Sequence, residues 1–394
     1  MKYLKLFESY SESDIDSICS EFGITNWTVN SDGTIDVDGN VDIRDKKLTK
    51  LPLRFGKVSG HFKCYDNNLT TLEGSPSEVG GDFNCSHNNI VTLEGGPRGV
   101  GGNFYCHQNR LTSLEGSPRE VNYFNCEYNL LTSLKGAPTE VGSFIVTSNK
   151  LITLEGSPKK VNDNFYCNSN KLTNLKGGPT EVLGTFNCCG NELTTLEGGP
   201  RLVGGNYYCH CNQLKNLNGS PNRVGGNFVC RANDLLTSLK GAPKEVGGNF
   251  HCYYTNITTL EGGPIEVGGE FNCNNNKLTT LKGAPKEVGL GFFCSGNELT
   301  TLVGAPKFIS GDFLCKNNKL ITLEGIPKEI GGQFSCRINP IFRIYNLFPD
   351  HKSYIESLDY NYLRGKTIVE RRFKEALDEF EIELPRSISG YKYI

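Results

Sequence analysis

Phe271-Asn272-Cys273-Asn274-Asn275-Asn276-Lys277-Leu278-Thr279-Thr280-Leu281-Lys282-Gly283-Ala284-Pro285-Lys286-Glu287-Val288 is one copy of a pattern that fills most of the chain. By position it reads F-x-C-x-x-N-x-L-x-x-L-x-G-x-P-x-x-V, followed in most copies by Gly-Gly and a polar residue. It runs thirteen times in tandem from Phe62 to Gln333, and a fourteenth start at Phe334 breaks at Pro340. The usual period is 21 residues, a spacing that marks a solenoid in which each unit touches only its neighbours. Three units depart from it. Two have 20 residues, shortened at Asn122-Tyr123 and Gly142-Ser143, and one has 22, with an extra residue between Leu235 and Leu239.

Phe and Cys alternate with polar residues, as on a strand with one buried face. The asparagine that follows sits at the turn off the strand, where its side chain can bond backbone groups of its own and the neighbouring unit. Thr255 replaces it in one unit. Both leucines and the valine point inward. Gly-x-Pro-x-x-Val-Gly-Gly is too short and too glycine-rich for a helix, so the chain must return in extended and turn structure. The expected fold is a repeat solenoid with a parallel β-sheet on the concave face and a non-helical outer side. Residues 1–61 form a small α/β N-terminal cap, 62–339 the array, and 340–394 an α-helical C-terminal cap.

The flanks carry their own signals. Ile15, Ile18, Cys19 and Phe22 have helical spacing, with Gly23 as the stop. Asn26–Asn30 and Thr34–Val37 flank Ser31-Asp32-Gly33, a hairpin signal. Ile43 takes the cysteine position of a degenerate first repeat, in which Lys46 replaces the asparagine. After Pro340, helices are expected over Ile341–Leu347 and Asp350–Tyr360, and from a capping box at Thr367-Ile368-Val369-Glu370 to about Glu381.

Thirteen of the sixteen cysteines occupy the third position of the repeat, and Val146 stands there in the one unit that lacks cysteine. Valine neither bridges nor ligates, so the position calls for a small buried hydrophobe, and the column is expected to be reduced core thiols.

With Phe and Cys at the two strand leucines, the unit resembles leucine-rich repeats, L-x-x-L-x-L-x-x-N-x-L. The short period and the proline resemble the bacterial class found in secreted effectors, from which Gly-x-Pro-x-x-Val-Gly-Gly departs. The array is also similar to uncharacterised leucine-rich repeat proteins of large tailed bacteriophages. That resemblance implies a phage protein acting on a host protein, for instance one in a defence pathway. Some effectors with such repeats carry a C-terminal ubiquitin-ligase domain with a catalytic cysteine. No cysteine follows Cys336, so that activity is not expected.

Net charge is −2, which argues against a general affinity for nucleic acid or anionic membranes. No apolar run approaches the ~20 residues of a membrane span. Met1–Glu8 has too short an apolar stretch for a signal peptide. The reading is a cytoplasmic protein. No nucleophile motif and no phosphate-binding Gly-Lys-Ser/Thr sequence is present, so no catalytic residue, no cofactor and no enzymatic activity are expected. Cys189, His210 and Cys211 fall close together on adjacent units and form a weak candidate for a soft metal, without a clear fourth ligand.

The second, fourth and fifth positions of each unit are expected to form the exposed strand face. Aromatic residues and four of the six histidines gather there: Tyr65, His87, Tyr105, His107, Tyr128, Tyr166, Tyr208, His210, His251, Tyr253, Tyr254 and Phe293. Rigid rings with polar tips suit an interface core, whereas a solvated sheet would favour tyrosine through β-propensity alone. The leading expectation is a scaffold binding another protein through Tyr105, His107, Tyr128, Tyr166, Tyr208, His210, His251, Tyr253 and Tyr254. A carbohydrate- or cell-surface-binding module is the alternative.

Overall fold

A computed structural model describes residues 10–394, and the Met1–Glu8 start lies outside them. The chain forms two compact units. The first runs to Asn212 and includes Gly219–Pro221, and the second takes Gln213–Asn218 and Asn222–Ile394.

The first unit opens with helix α1 (Glu12–Phe22). Ser11 and Asp14 form its capping box, and Gly23 ends it in the left-handed conformation. Strands β1 (Trp27–Val29) and β2 (Ile35–Val37) make the expected antiparallel hairpin. Each following coil contributes two short strands rather than one. One begins at the repeat phenylalanine, as in Phe62–Lys63, Phe83–Asn84 and Phe104–Tyr105. The other ends at the valine, as in Glu78–Val79 and Gly99–Val100. Both kinds stack in parallel and in register, Phe83 beside Phe62 and Phe104, and Val79 beside Val58 and Val100. The turn side predicted as merely extended is thus a second sheet, onto which β2 also pairs.

Identical residues stack because the period is nearly constant. Phe62, Phe83, Phe104 and Phe124 form a column with ring centroids 5.0–5.7 Å apart. Cys64, Cys85, Cys106 and the two leucine columns are fully buried alongside. All sixteen cysteines carry thiols rather than disulfides. Gly-Gly recurs because the coils approach closely there: a Cβ on Gly101 would lie 2.3 Å from the carbonyl oxygen of Gly80.

The asparagine column supplies hydrogen bonds between coils. Asn88 Nδ2 donates to the carbonyls of Cys64 one coil back and of Cys85 in its own coil, while Oδ1 accepts from the Leu69 amide. Rungs at Asn109, Asn129, Asn149, Asn170 and Asn191 repeat this geometry. The bonds satisfy turn amides and carbonyls that burial would otherwise leave unpaired.

The two 20-residue coils change the pattern. With one residue of the Gly-Gly-x turn missing, the valine and phenylalanine strands fuse into β3 (Glu120–Asn125) and β4 (Glu140–Ile145). They pair in parallel, with Tyr123 beside Ser143.

In the second unit the same coils run on from Phe228, with ring centroids 5.2–5.4 Å apart from Phe228 through Phe292. The 22-residue coil extrudes its extra residue: Leu235 is 49% exposed, while Leu236 takes the core position. The end of this unit is less helical than the sequence suggested. Helices α2 (Phe342–Tyr345) and α3 (His351–Ser357) form as expected. The capping box at Thr367 and Glu370 does not. Thr367 and Ile368 are instead strand β6, paired antiparallel with β5 (Leu363–Arg364) around Gly365 and parallel with β7 (Lys392–Tyr393). Helix α4 therefore spans only Glu370–Asp378 and starts at Val369 without a side-chain cap. Sheet pairing outcompetes the cap because the Thr367 backbone already serves the hairpin. This end packs on the array of its own unit, with Tyr345 and His351 against Phe334 and the Tyr391 hydroxyl donating to the Ile321 carbonyl.

Candidate functional site: the outward face of the phenylalanine strands

The strand covers only the first two positions of the repeat, so the three outward positions are not equivalent. Second-position side chains stand on the sheet. Tyr105 pairs with Asn84 and Asn125, Tyr166 with Ile145 and Asn187, and Tyr208 with Asn187. All three tyrosines are half-buried. The fourth position, just past the strand, holds half-buried His107 and His210.

The fifth position corrects the sequence reading. Tyr128 has φ +52°, in the left-handed region, because the chain there swings round to bring the asparagine inward. Its side chain is 55% exposed in the turn rather than on the strand face. His87 and Tyr254 share this conformation, and Tyr254 is 60% exposed. A non-glycine residue with positive φ is uncommon, and here the repeat geometry imposes it coil after coil.

The predicted residues fall into two groups, one in each unit. In the first unit, Tyr105, Tyr166 and Tyr208 line the sheet. The His107 ring lies 6.3 Å from that of Tyr105 and 5.4 Å from that of His87, and the His210 ring lies 6.0 Å from that of Tyr208. Burial, reinforced by neighbouring His87, pushes His107 below the usual histidine range. In the second unit, His251, Tyr253 and Tyr254 make a chain of ring contacts at 5.6–5.7 Å, with the Arg231 guanidinium 5.6 Å above Tyr253. Burial also pushes His251 down, although Glu270 at 3.7 Å opposes this.

Sequence reading missed Tyr123, Ser143 and Asp163. Shortening the turn draws Tyr123 into β3, two residues before Asn125 and on the same side of the sheet. Its ring lies 5.6 Å from that of Tyr105, tilted by 48°. The two rings, with Asn103, Asn122, Ser143 and Asp163, line a pocket of about 260 Å³. Ser143 Oγ donates to Asp163 Oδ2 at 2.7 Å, and Asn164 Nδ2 donates to the same oxygen at 2.8 Å. Burial, with Glu127 and then Tyr105 adding to it, pushes the Tyr123 phenol up. Tyr166 is pushed up by burial and by Asp163. Both phenols therefore stay neutral. The available signal was the 20-residue spacing at Asn122-Tyr123 and Gly142-Ser143.

Larger hollows lie elsewhere. In the first unit a groove of about 820 Å³ follows the valine strands, over Val37, Val58, Val79 and Val100 with Lys57, Glu78 and Arg98 beside them. A groove of about 540 Å³ follows the same strands in the second unit. Opposite charges close on one another in both, Lys57 with Glu78 at 2.9 Å and Arg223 with Glu245 at 3.6 Å. Recurrence along the Glu-Val-Gly-Gly segment makes these grooves a property of the coil, with no chemistry particular to one place.

The Cys189, His210 and Cys211 candidate does not assemble. Cys211 has φ +54° and is exposed in its turn, apart from half-buried Cys189 and His210. Among the described residues no group of three or more His, Cys, Asp or Glu side chains is placed to hold a metal. No helix among them is long and apolar enough to cross a membrane.

Two parallel strands per coil, a phenylalanine and cysteine core and an asparagine column define a parallel-strand solenoid of the leucine-rich repeat type. Similar solved structures include YopM of Yersinia pestis, a leucine-rich effector protein, at 17% identity over 75% of this chain and 88% of that one, with a TM-score of 0.49. YopM of Yersinia enterocolitica WA-314 is 16% identical over 76% and 78%, with a TM-score of 0.45. The functional domain of InlJ from Listeria monocytogenes, which includes a cysteine ladder, is 17% identical over 71% and 68%, with a TM-score of 0.38. No protein-family model and no curated protein matches the chain.

Proposed function

We propose that the chain is a non-enzymatic scaffold that docks a partner protein on the outward face of its phenylalanine strands, with the first unit carrying the main contact. The row Tyr105, Tyr123, Tyr166 and Tyr208 carries this reading. These are rigid, half-buried rings with no core role. At ~4.8 Å between strands, Tyr105 and Tyr208 stand roughly 25 Å apart, a fitting width for one partner of standard interface size. His107 and His210 flank the row, and Tyr128 stands exposed in the turn beyond the strands. His251, Tyr253 and Tyr254 form a second contact area in the other unit. The resemblance to phage proteins directs the search for the partner to the bacterial cytoplasm, with host defence proteins first.

The test couples capture with mutation. A partner recovered in stoichiometric amount from bacterial lysate is measured against Tyr105→Ala, Tyr166→Ala and Tyr208→Ala. Truncating an interface tyrosine commonly costs on the order of 2 kcal/mol, while melting should stay within about 1 kcal/mol of the parent. Full affinity in all three variants would move the contact elsewhere. The carbohydrate reading draws on the same tyrosine and asparagine columns, and glycan-array binding in the absence of any protein partner would replace the proposal.

A further inference from the structure

We propose that the pocket between Tyr105 and Tyr123 receives an arginine side chain of the bound protein, an inference that rests on the docking reading above. Three observations carry it. The first is shape. Two tyrosine rings at 5.6 Å and 48° form a wedge over a cavity of about 260 Å³, enough for a planar guanidinium. A cation over an aromatic face is attracted by the ring quadrupole.

The second is a carboxylate held in place. Ser143 and Asn164 both donate to Asp163 Oδ2, which fixes the carboxylate at the pocket wall. Guanidinium donors match a carboxylate edge while the plane stacks on a ring, which a compact ammonium cannot do. Asn103 and Asn122 supply further amide groups at the wall.

The third is the charge of the surrounding face. From the coil of Phe83 to that of Tyr207, the residue before the phenylalanine and the second and fourth positions include Asp82 and Glu127 but no lysine or arginine. Asp163 adds a further negative charge at the pocket. His107 is held toward its neutral form by burial, and His87 lies 3.7 Å from Asp66. A cation arriving here meets acid and aromatic surface without a competing internal cation.

The pocket exists because two consecutive coils are short. In regular coils Gly-Gly occupies the bend, whereas here Tyr123 joins the strand and stands beside Ser143.

The probe is a capped glycine pentapeptide with a central arginine, compared with its citrulline counterpart, which has nearly the same shape and no charge. Binding to the full chain is followed through the ring resonances of labelled tyrosines. The arginine peptide should shift Tyr105 and Tyr123 saturably and bind roughly tenfold more tightly than the citrulline peptide. Asp163→Asn should remove that difference with unchanged melting, since an asparagine oxygen can still accept from Ser143. Tyr123→Ala should weaken the arginine peptide. Equal binding of the two peptides, no saturable shift, or an undiminished preference in Asp163→Asn would overturn the inference. If the probe fails while a captured partner still depends on Tyr166 and Tyr208, the pocket inference alone falls. A partner indifferent to every tyrosine variant removes the docking reading as well.

Discussion

The Leu236 amide donates to the Asn233 carbonyl at 3.0 Å, a bond made within one turn that the regular coils do not use. In a regular coil this amide is served by the asparagine of the next coil, as Leu278 is by Asn297. The extra residue of the 22-residue coil bends the chain so that Leu236 is already satisfied. The next coil can then carry Thr255, whose hydroxyl donates to the Cys252 carbonyl at 3.1 Å and lies 2.6 Å from Asn276 Oδ1. Insertion and substitution are one adjustment. Thr255→Asn alone should therefore bring no gain in stability, whereas Asn276→Ala should be costly. It would leave the Thr255 amide unpaired and take one of two donors from each of the Cys252 and Cys273 carbonyls, which keep Thr255 Oγ1 and Asn297 Nδ2, at about 1–3 kcal/mol for the buried amide. Urea unfolding of the two variants checks this.

Thiol reactivity should divide the cysteines sharply. Burial raises the thiols of Cys273 and Cys294 in the repeat column and suppresses the reactive thiolate there. In native protein a thiol reagent should label Cys211 first and Cys189 more slowly, with the column reacting only after unfolding. Mass spectrometry of quenched time points reads this out. Cys273→Val should be nearly neutral, and Cys273→Asp should cost several kcal/mol by burying an unpaired charge.

Acid should loosen the end of the second unit. His351 packs against Phe334 and Tyr345, and neither ring nitrogen has a hydrogen-bond partner. Burial lowers its pKa below 6.5, and Asp350 only partly opposes this. The folded state thus disfavours the proton that the unfolded state accepts. The stability is fully present above the unfolded value and is lost as pH falls through it toward the folded one. The protection of amides in residues 340–394, taken relative to their intrinsic exchange rates, should fall as pH drops below about 6.5, and His351→Phe should flatten that fall. An identical pH response in the variant would rule out His351 as the cause.

The glycine pairs set how closely coils can stack. Gly268→Ala would place its methyl 2.3 Å from the Gly247 carbonyl oxygen, a contact that backbone must yield to relieve. A loss on the order of 3 kcal/mol is expected, as for overpacking or worse. Gly33→Ala meets nothing within 4 Å and should cost about 1 kcal/mol, from its positive φ alone. Parallel thermal melts separate the two.

Much of this fold was legible because the repeat states its rules thirteen times. Phe, Cys, Leu and Val mark the core by recurrence, and Val146 in the cysteine column identifies that column as packing. What the pattern could not show was where the strand stops. Period-2 alternation continues through the fourth position, yet the regular strand ends at the second and the backbone turns through positive φ at the fifth, so Tyr128 and Tyr254 were read onto a face they do not occupy. At the other end Thr367 and Glu370 satisfied a local helix rule that a distant partner, β7, overrode. Tyr123 was hidden for the opposite reason, since a reader looking for the consensus treats a missing residue as noise.

That missing residue bears on how a ligand would find its place. On a perfectly periodic ladder, an extended chain can slide by one rung and regain nearly the same contacts, so several alignments share the population and none is selected. The fused strands Glu120–Asn125 and Glu140–Ile145 interrupt the translation at one place. Every alignment but one then loses whatever that place offers, and a ruler of equal marks acquires an origin.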